Sequence, residues 1–192
     1  MTDVRLADDR LLPKELIPAA SLSFGGLRNQ YRRDGLGAEL VAVTAKRVVS
    51  KGSDEIPWSE TPFPAITAVA RFPGETLEQV LSTYQVEVIG YDPYRQDSVD
   101  MAGVQAPLAA NFTSGYGLWL ARSGFARQSL LTLVGRGEVL ERPHVYLLQP
   151  FDPDRRIVVM LHGLASSPEA WINVANEVLG DEELRRNYQI WQ

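Results

Sequence analysis

The clearest pattern of hydrophobic and polar positions lies in about the last fifty residues of the chain. Two short apolar runs, at residues 144–149 (HVYLLQ) and 156–161 (RIVVML), flank the segment FDPDR, in which Pro153 stands between two aspartates. Short apolar runs bounded by turn-forming residues are typical of strands, and a run without alternation predicts a strand buried on both faces. We therefore predict a strand, a turn and a second, buried strand.

A helix pattern follows the second strand. Ser166 and Glu169 have the S-x-x-E spacing of a capping box, and Pro168 lies in the first turn. Five apolar residues then recur along one helix face: Trp171, Val174, Ala175, Val178 and Leu179. Gly180 predicts a left-handed C-cap. We expect a helix over residues 167–179, a short helix at DEELRRN and the start of another strand at YQIWQ.

The first 140 residues show a weaker pattern, which predicts an α+β region. Residues 1–35 are polar with scattered leucines, which indicates loose structure with or without a short helix. Apolar runs, partly β-branched, predict strands at residues 36–49, 66–72 and 85–91. Prolines and polar turn formers predict a loop at residues 53–64.

Two helical segments are predicted in the same region. Thr76 is expected to cap a short helix, whose apolar residues share one face: Leu77, Val80, Leu81 and Tyr84. Residues 107–135 carry many apolar side chains and predict helices that are broken near Ser123 and Gly124.

Composition excludes several classes of function. The 192 residues carry a formal net charge of −5, which argues against a nucleic-acid partner. The absence of cysteine excludes disulfides, thiol catalysis and cysteine-based zinc sites. The amino-terminal stretch lacks the apolar run of a signal peptide, and no segment reaches the roughly 18 apolar residues of a membrane span. The sequence therefore assigns neither a compartment nor membrane association.

The dipeptide after the second predicted strand is a candidate for a chemical role. His162 and Gly163 would lie at the carboxyl end of that strand, where ligands bind in open α/β sheets. Glycine lets the backbone turn tightly and approach a ligand. The backbone N–H of Leu164 could then point into the crevice and stabilise negative charge on an attacked carbonyl oxygen.

This succession of strand, His-Gly, small polar loop and capped helix resembles the opening of an α/β-hydrolase core. The resemblance implies that residues 144–149 and 156–161 are similar to the second and third strands of that family. It implies that Leu164 supplies an oxyanion-hole N–H, while His162 and Gly163 shape the loop. The expected fold class is α/β: an N-terminal α+β region over residues 1–140, then an incomplete hydrolase core over residues 141–192.

The chain departs from the family in its catalytic residues. The family orders its triad Ser, Asp or Glu, His, with the serine in G-x-S-x-G. No G-x-S-x-G occurs here, and the only histidines, His144 and His162, come too early to be the base. We therefore predict no catalytic residue, metal or cofactor in this chain. The chain is expected to be truncated and to be inactive alone, with the triad in a missing C-terminal part of the parent protein. By the resemblance, this parent protein acts on an ester or a lipid, and it could be exported.

Several polar residues have a structural explanation beside a chemical one. Asp152 and Asp154 could ligate a metal, but a tight turn around the intervening proline explains them better. Ser166 and Ser167 could be nucleophiles, but helix capping explains them without a base. Asn111 begins a glycosylation sequon that is expected to be fortuitous in an apolar segment.

Two further hypotheses remain open beside the hydrolase fragment. In the first, the chain is a non-catalytic interaction or lid-like module that binds a partner, a lipid surface or its own catalytic domain. In the second, it is a small complete α/β ligand-binding protein. Trp119 and its apolar neighbours would line an acyl-chain pocket, or they would form core or a packing surface.

Overall fold

A computed structural model describes residues 3–6, 13–44, 48–49, 57–124, 144–163 and 168–192. The strands are β1 Asp3–Leu6, β2 Glu15–Pro18, β3 Arg32–Arg33, β4 Ala38–Val43, β5 Val48–Val49, β6 Trp58–Glu60, β7 Ala65–Arg71, β8 Glu87–Tyr91, β9 Ser98–Met101, β10 Val104–Pro107, β11 Ala110–Asn111, β12 Val145–Leu147, β13 Arg156–Val159 and β14 Tyr188–Trp191. The α-helices are α1 Leu77–Ser82, α2 Ser114–Ser123, α3 Ile172–Gly180 and α4 Glu182–Asn187. Short 3₁₀ helices are Ala19–Ser21 and Pro168–Trp171. The expected mixture of helices and strands is confirmed.

Most of the described strands belong to two five-stranded sheets. The first sheet has the order β1-β8-β7-β4-β2, and its neighbours are antiparallel except for β1 and β8. The second sheet has the order β13-β14-β12-β6-β5. Its pairs β13–β14 and β12–β6 are parallel, whereas β14–β12 and β6–β5 are antiparallel.

The second sheet joins strands from both predicted regions. β5 and β6 belong to the first 140 residues, whereas β12, β13 and β14 belong to the predicted hydrolase part. β12 pairs with β6 from Val145 opposite Trp58 to Leu147 opposite Glu60. The domain boundary at residue 140 stays a prediction. Backbone hydrogen bonds between β6 and β12 join the segments before and after it.

The last part of the chain forms a parallel βαβ unit. β13 pairs with β14 from Arg156 opposite Tyr188 to Val159 opposite Trp191, and α3 and α4 lie in the connection between them. The Met160 N–H donates to the Trp191 carbonyl at 2.8 Å and extends this ladder. Because the strands are parallel, their carboxyl ends meet at one edge of the sheet.

The main hydrophobic core packs helices α2 and α3 against strands of both sheets. Its buried members are Val41, Phe63, Tyr116, Leu118, Trp119, Leu120, Leu148, Met160, Ala175, Leu179 and Ile190. Leu179 and Ile190 are 1 % and 0 % exposed, and full burial of one such side chain contributes about 1.5–3 kcal/mol. Trp119 therefore belongs to the core. This agrees with its interpretation as a core residue and not with the alternative that it lines an acyl-chain pocket.

An irregular segment, residues 26–31, connects the amino-terminal region to α3. We call this segment the strap. The Arg28 N–H donates to Asn173 Oδ1 at 3.0 Å, and Asn176 Nδ2 donates to the Asn29 carbonyl at 2.8 Å. These bonds hold backbone groups of a segment that belongs to no strand or helix.

The prediction of loose structure over residues 1–35 is wrong. Strands β1, β2 and β3 lie in this segment, and they pair with β8, β4 and β11, respectively. The predicted loop at residues 53–64 is also wrong at its centre, where β6 lies between β5 and β12. In each case distant partners supply the hydrogen bonds, so a polar local sequence does not reveal the strand. The strands expected at residues 36–49, 66–72 and 85–91 are confirmed, the first as β4 and β5.

The predicted end of a helix near Ser123 and Gly124 is confirmed, because α2 ends at Ser123 and Gly124 is left-handed with φ 72°. The predicted helix start at residue 107 is wrong. β10 ends there and β11 follows, so α2 begins only at Ser114. The rest of the predicted helical segment, residues 125–135, lies outside the described residues.

The prediction that β13 is buried on both faces is wrong. β13 lies at the edge of its sheet, bonded to β14 on one side. Ile157, Val159 and Leu161 are 44 %, 59 % and 78 % exposed. An apolar run records the hydrophobicity of a strand but not its place in the sheet, and these residues form an exposed apolar stripe.

The start of α3 also differs from its prediction. Ser166 lies outside the described residues, and Pro168–Trp171 forms a 3₁₀ turn before α3 begins at Ile172 without a side-chain cap. Val174 was expected on the buried face but is 49 % exposed, whereas Asn176 is 1 % exposed. Asn176 occupies the buried face because its amide bonds to the strap.

Gly180 is not the predicted left-handed cap. It is the last residue of α3, and Asp181 follows as C-cap with φ −70°. A Cβ at Gly180 would collide with the ring of Tyr31, whose hydroxyl donates to the Glu177 carboxylate. The close approach of the strap therefore requires glycine here.

We predict that Gly180→Ala destabilises the protein, although alanine is the better helix former by about 1 kcal/mol. The new methyl group must displace a ring held by a hydrogen bond, and overpacking of this kind costs about 1–3 kcal/mol. Urea unfolding followed by circular dichroism measures the change. Gly25→Ala is the matched control, because a Cβ there meets no atom within 4 Å, and its effect should stay within about 0.5 kcal/mol.

Candidate functional site

The His-Gly pair lies where the sequence places it, directly after β13. His162 and Gly163 are exposed and follow Met160, whose N–H makes the last bond to β14. They therefore lie at the edge where the carboxyl ends of β13 and β14 meet. In open α/β sheets this edge is the ordinary position of a ligand site.

The indole of Trp171 holds this turn against the start of α3. Trp171 Nε1 donates to the Leu161 carbonyl at 2.9 Å, and Trp171 is the residue that immediately precedes α3. His162 Nδ1 lies 3.2 Å from the Gly163 carbonyl, a contact within the turn itself. The helix and the carboxyl end of β13 are thus linked by one side-chain hydrogen bond.

Gly163 has an open surface on its side-chain side. A Cβ built there meets no atom within 4 Å, and its φ is not in the left-handed region. The conformation of the turn therefore does not require glycine. The open surface is compatible with close approach of a bound group.

The predicted oxyanion donor, Leu164, lies outside the described residues, as do Ser166 and Ser167. Its role stays a prediction. Among the residues that the structure does describe, no group of three or more histidine, cysteine or carboxylate side chains is arranged to hold a metal ion.

The structural interpretation of the two aspartates is supported by the geometry of their turn. The Asp154 N–H donates to Asp152 Oδ1 at 3.0 Å, and Asp152 pairs with Arg155 at 3.2 Å. Asn111 is 5 % exposed and accepts from the N–H groups of Thr113 and Ser114. A buried asparagine occupied in this way is a poor glycan acceptor, so the sequon is fortuitous.

One polar pair was not predicted from the sequence. Ser59 Oγ lies 2.9 Å from His144 Nε2, which is the arrangement of a nucleophile and its base. Ser59 is only 1 % exposed, so a substrate cannot reach its hydroxyl. The pair holds β6 beside the start of β12, and no sequence motif connects two residues 85 positions apart.

An apolar cavity of about 180 Å³ is lined by residues of both sheets and of helices α2 and α3. Aromatic and aliphatic residues line it, among them Phe63, Tyr91, Tyr94, Tyr116 and Leu148. Burial raises the pKa of Tyr116 to about 12, and it also raises the pKa of Tyr94. Gln149 at the wall has a buried amide nitrogen without an acceptor among the described residues.

No family model, curated protein or solved structure matches the chain. Within the described ranges, none of the helices has the length and apolar character needed to cross a membrane.

The buried phenol of Tyr116 predicts a loss of stability in alkaline solution. The unfolded chain releases this proton near pH 10, whereas the folded protein retains it until about pH 12. Because the unfolded state binds fewer protons in this interval, the free energy of unfolding should fall as the pH rises from 10 to about 12. Urea unfolding across this interval measures the slope.

Tyr116→Phe removes this proton and should make the alkaline slope shallower. Tyr84→Phe serves as the control, because Tyr84 is 99 % exposed. An equal slope in Tyr116→Phe and the unmodified protein would contradict the assignment.

Proposed function

We propose that the chain is the front part of a serine hydrolase that acts on carboxylic esters or lipids, and that its loop after β13 forms half of an oxyanion hole. The observation that carries the proposal is the position of His162 and Gly163 at the carboxyl end of a strand in a parallel βαβ unit. The resemblance of this segment to the opening of an α/β-hydrolase core supplies the chemistry.

In this proposal the N–H of Leu164 donates to the oxygen of the attacked carbonyl. Fixed backbone donors stabilise such an oxyanion without reorganisation at the moment of reaction. The bond between Trp171 and the Leu161 carbonyl supports this role, because it restrains the backbone immediately before His162.

The exposed edge of β13 further supports the proposal that the sheet extends. Ile157, Val159 and Leu161 form an exposed apolar stripe there, and β14 is the only strand of the described residues that pairs with β13. Natural proteins usually protect such an edge with charged residues, proline or a covering element. In the proposed hydrolase, additional strands and helices would cover it.

The proposed nucleophile, acid and base belong to residues other than these 192. The sequence has no G-x-S-x-G, and Ser59 beside His144 is buried. The chain alone is therefore proposed to be inactive, since an oxyanion donor without nucleophile and base gives only weak catalysis. The proposed reaction requires no cofactor.

The experiment uses the reading frame continued past the Gln192 codon. If the product carries a G-x-S-x-G serine, a fluorophosphonate should label it and it should hydrolyse p-nitrophenyl butyrate. Leu164→Pro, which removes the backbone N–H, should lower kcat by about 10²–10³-fold. Leu164→Ala keeps the N–H and is the matched control, with kcat expected within a few-fold of the parent.

Circular dichroism of both variants separates loss of the donor from loss of the fold. A folded Leu164→Pro variant with unchanged kcat would refute the role of the loop. A stop codon directly after Gln192 would contradict the hydrolase proposal. Labelling of the 192-residue chain itself would contradict the proposal that its nucleophile lies outside these residues.

A second candidate function is supported by α1. The predicted cap is confirmed, because the Gln79 N–H donates to Thr76 Oγ1 at 3.3 Å and Gln79 Oε1 accepts from the Thr76 N–H. Apolar residues of this helix are exposed: Leu77 and Leu81 are 74 % and 77 % exposed, and Tyr84, which was expected on the same face but lies two residues after the helix ends, is 99 % exposed. Such a face favours a lid-like or interaction module that docks on a lipid surface.

Flotation with phosphatidylcholine vesicles tests this second function. Leu81→Glu should lower the membrane partition constant about tenfold or more, because burial of one leucine contributes about 1.5–3 kcal/mol. Val104→Glu is the control, since Val104 is 65 % exposed on the separate β9–β10 hairpin. Absence of flotation, or equal loss in the two variants, would exclude lipid docking through α1.

A further inference from the structure

A polar groove lies at the end of β13 opposite to His162 and Gly163. Its volume is about 580 Å³, within the roughly 300–1,000 Å³ typical of small-molecule sites. Five of its lining residues are arginines, contributed by four separate segments: Arg33, Arg95, Arg155, Arg185 and Arg186. We call it the arginine groove.

The carboxylates around the arginine groove pair with some of its arginines and leave others without an acidic partner. The lining holds five arginines and three aspartates, and two further carboxylates lie beside it: Asp92 at 3.8 Å from Arg95 and Glu182 at 2.7 Å from Arg186. Asp97 also lies 2.7 Å from Arg186, and Asp152 lies 3.2 Å from Arg155. An arginine that keeps its charge without a carboxylate partner in a concave surface attracts anions.

Arg33 and Arg185 are the two lining arginines that form no ion pair with a carboxylate of the described residues. Arg33 Nε donates to the Leu108 carbonyl at 2.8 Å. Arg185 Nη1 donates to two carbonyl oxygens at the end of α3, at 3.0 and 2.8 Å. These bonds fix both guanidinium groups without neutralising them.

The two guanidinium groups share one aromatic partner. Their central carbons lie 5.6 Å (Arg33) and 3.5 Å (Arg185) from the centroid of the Phe112 ring. Burial lowers the pKa of both arginines from the ordinary value, whereas the nearby carboxylate of Glu182 acts in the opposite direction. An anion bound in the groove would favour the charged form of both guanidinium groups in the same way.

We propose that the arginine groove binds a small soluble ligand through its phosphate group. Guanidinium groups donate two parallel hydrogen bonds to phosphate oxygens, which makes arginine well suited to this anion. The two positive charges of Arg33 and Arg185 match a phosphate dianion better than a single carboxylate. The groove is concave and includes the exposed Asp154, which disfavours a flat anionic membrane as the source of the phosphate.

Isothermal titration of the 192-residue chain with pyrophosphate tests the proposal. Arg33→Gln and Arg186→Gln should each weaken binding about tenfold or more, because charge-assisted bonds to phosphate are lost. Arg32→Gln should leave the Kd unchanged. Arg32 is the matched control because it is the sequence neighbour of Arg33 but pairs with Glu39 at 2.9 Å, outside the groove.

Thermal melting of each variant verifies the fold. Arg186→Gln is informative even if Arg33→Gln unfolds, because the Arg186 side chain is 57 % exposed and packs in no core. No binding of pyrophosphate by the parent chain would overturn the proposal, as would equal weakening by all three variants. Binding only to vesicles that contain phosphatidic acid would overturn it in favour of a lipid surface.

Discussion

The hydroxyl of Thr113 makes the contact on which the arrangement of the other elements depends. It accepts from the Tyr31 N–H at 2.9 Å and donates to Asn176 Oδ1 at 2.9 Å, and Asn176 in turn bonds to the Asn29 carbonyl. Loss of one partner would leave buried polar groups unsatisfied, at a cost of about 1–3 kcal/mol for each. The start of α2, the strap and α3 are therefore fixed together, although they are distant in sequence.

The position of α3 determines both candidate sites. Trp171, at its beginning, holds the turn before His162, and the last carbonyls of α3 hold Arg185 over Phe112. Phe112 is itself anchored, because its N–H donates to the Tyr31 carbonyl at 2.9 Å. The strap thus supports the two ends of β13 through one helix, and disruption of the contact between Tyr31 and Gly180 should disturb both ends.

Local signals predicted the local features. The Thr76 cap and the Pro153 turn depend on neighbours within a few residues, and both are present. Strands β7 and β8 pair with distant strands, but their apolar runs are visible locally, and both are also present. Predictions failed where a distant partner decides the outcome: β6 is a strand because β5 and β12 flank it, and Gly180 is glycine because Tyr31 packs on it. The same distinction between local and distant determinants applies to the two candidate sites. The place of His162 follows from the strand before it, whereas the arginine groove assembles four segments that no motif connects.

The two ends of β13 offer different chemistry, and the proposals for them are independent. At the carboxyl end the proposed donor is an uncharged backbone N–H, which suits a charge that forms transiently on a carbonyl oxygen. At the other end, Arg33 and Arg185 are permanent cations held by carbonyl groups, which suit an anion that is already charged. Leu164→Pro leaves the arginines intact, and Arg33→Gln leaves the oxyanion loop intact. Because each variant alters only one end, the failure of one proposal would leave the other to stand on its own measurement.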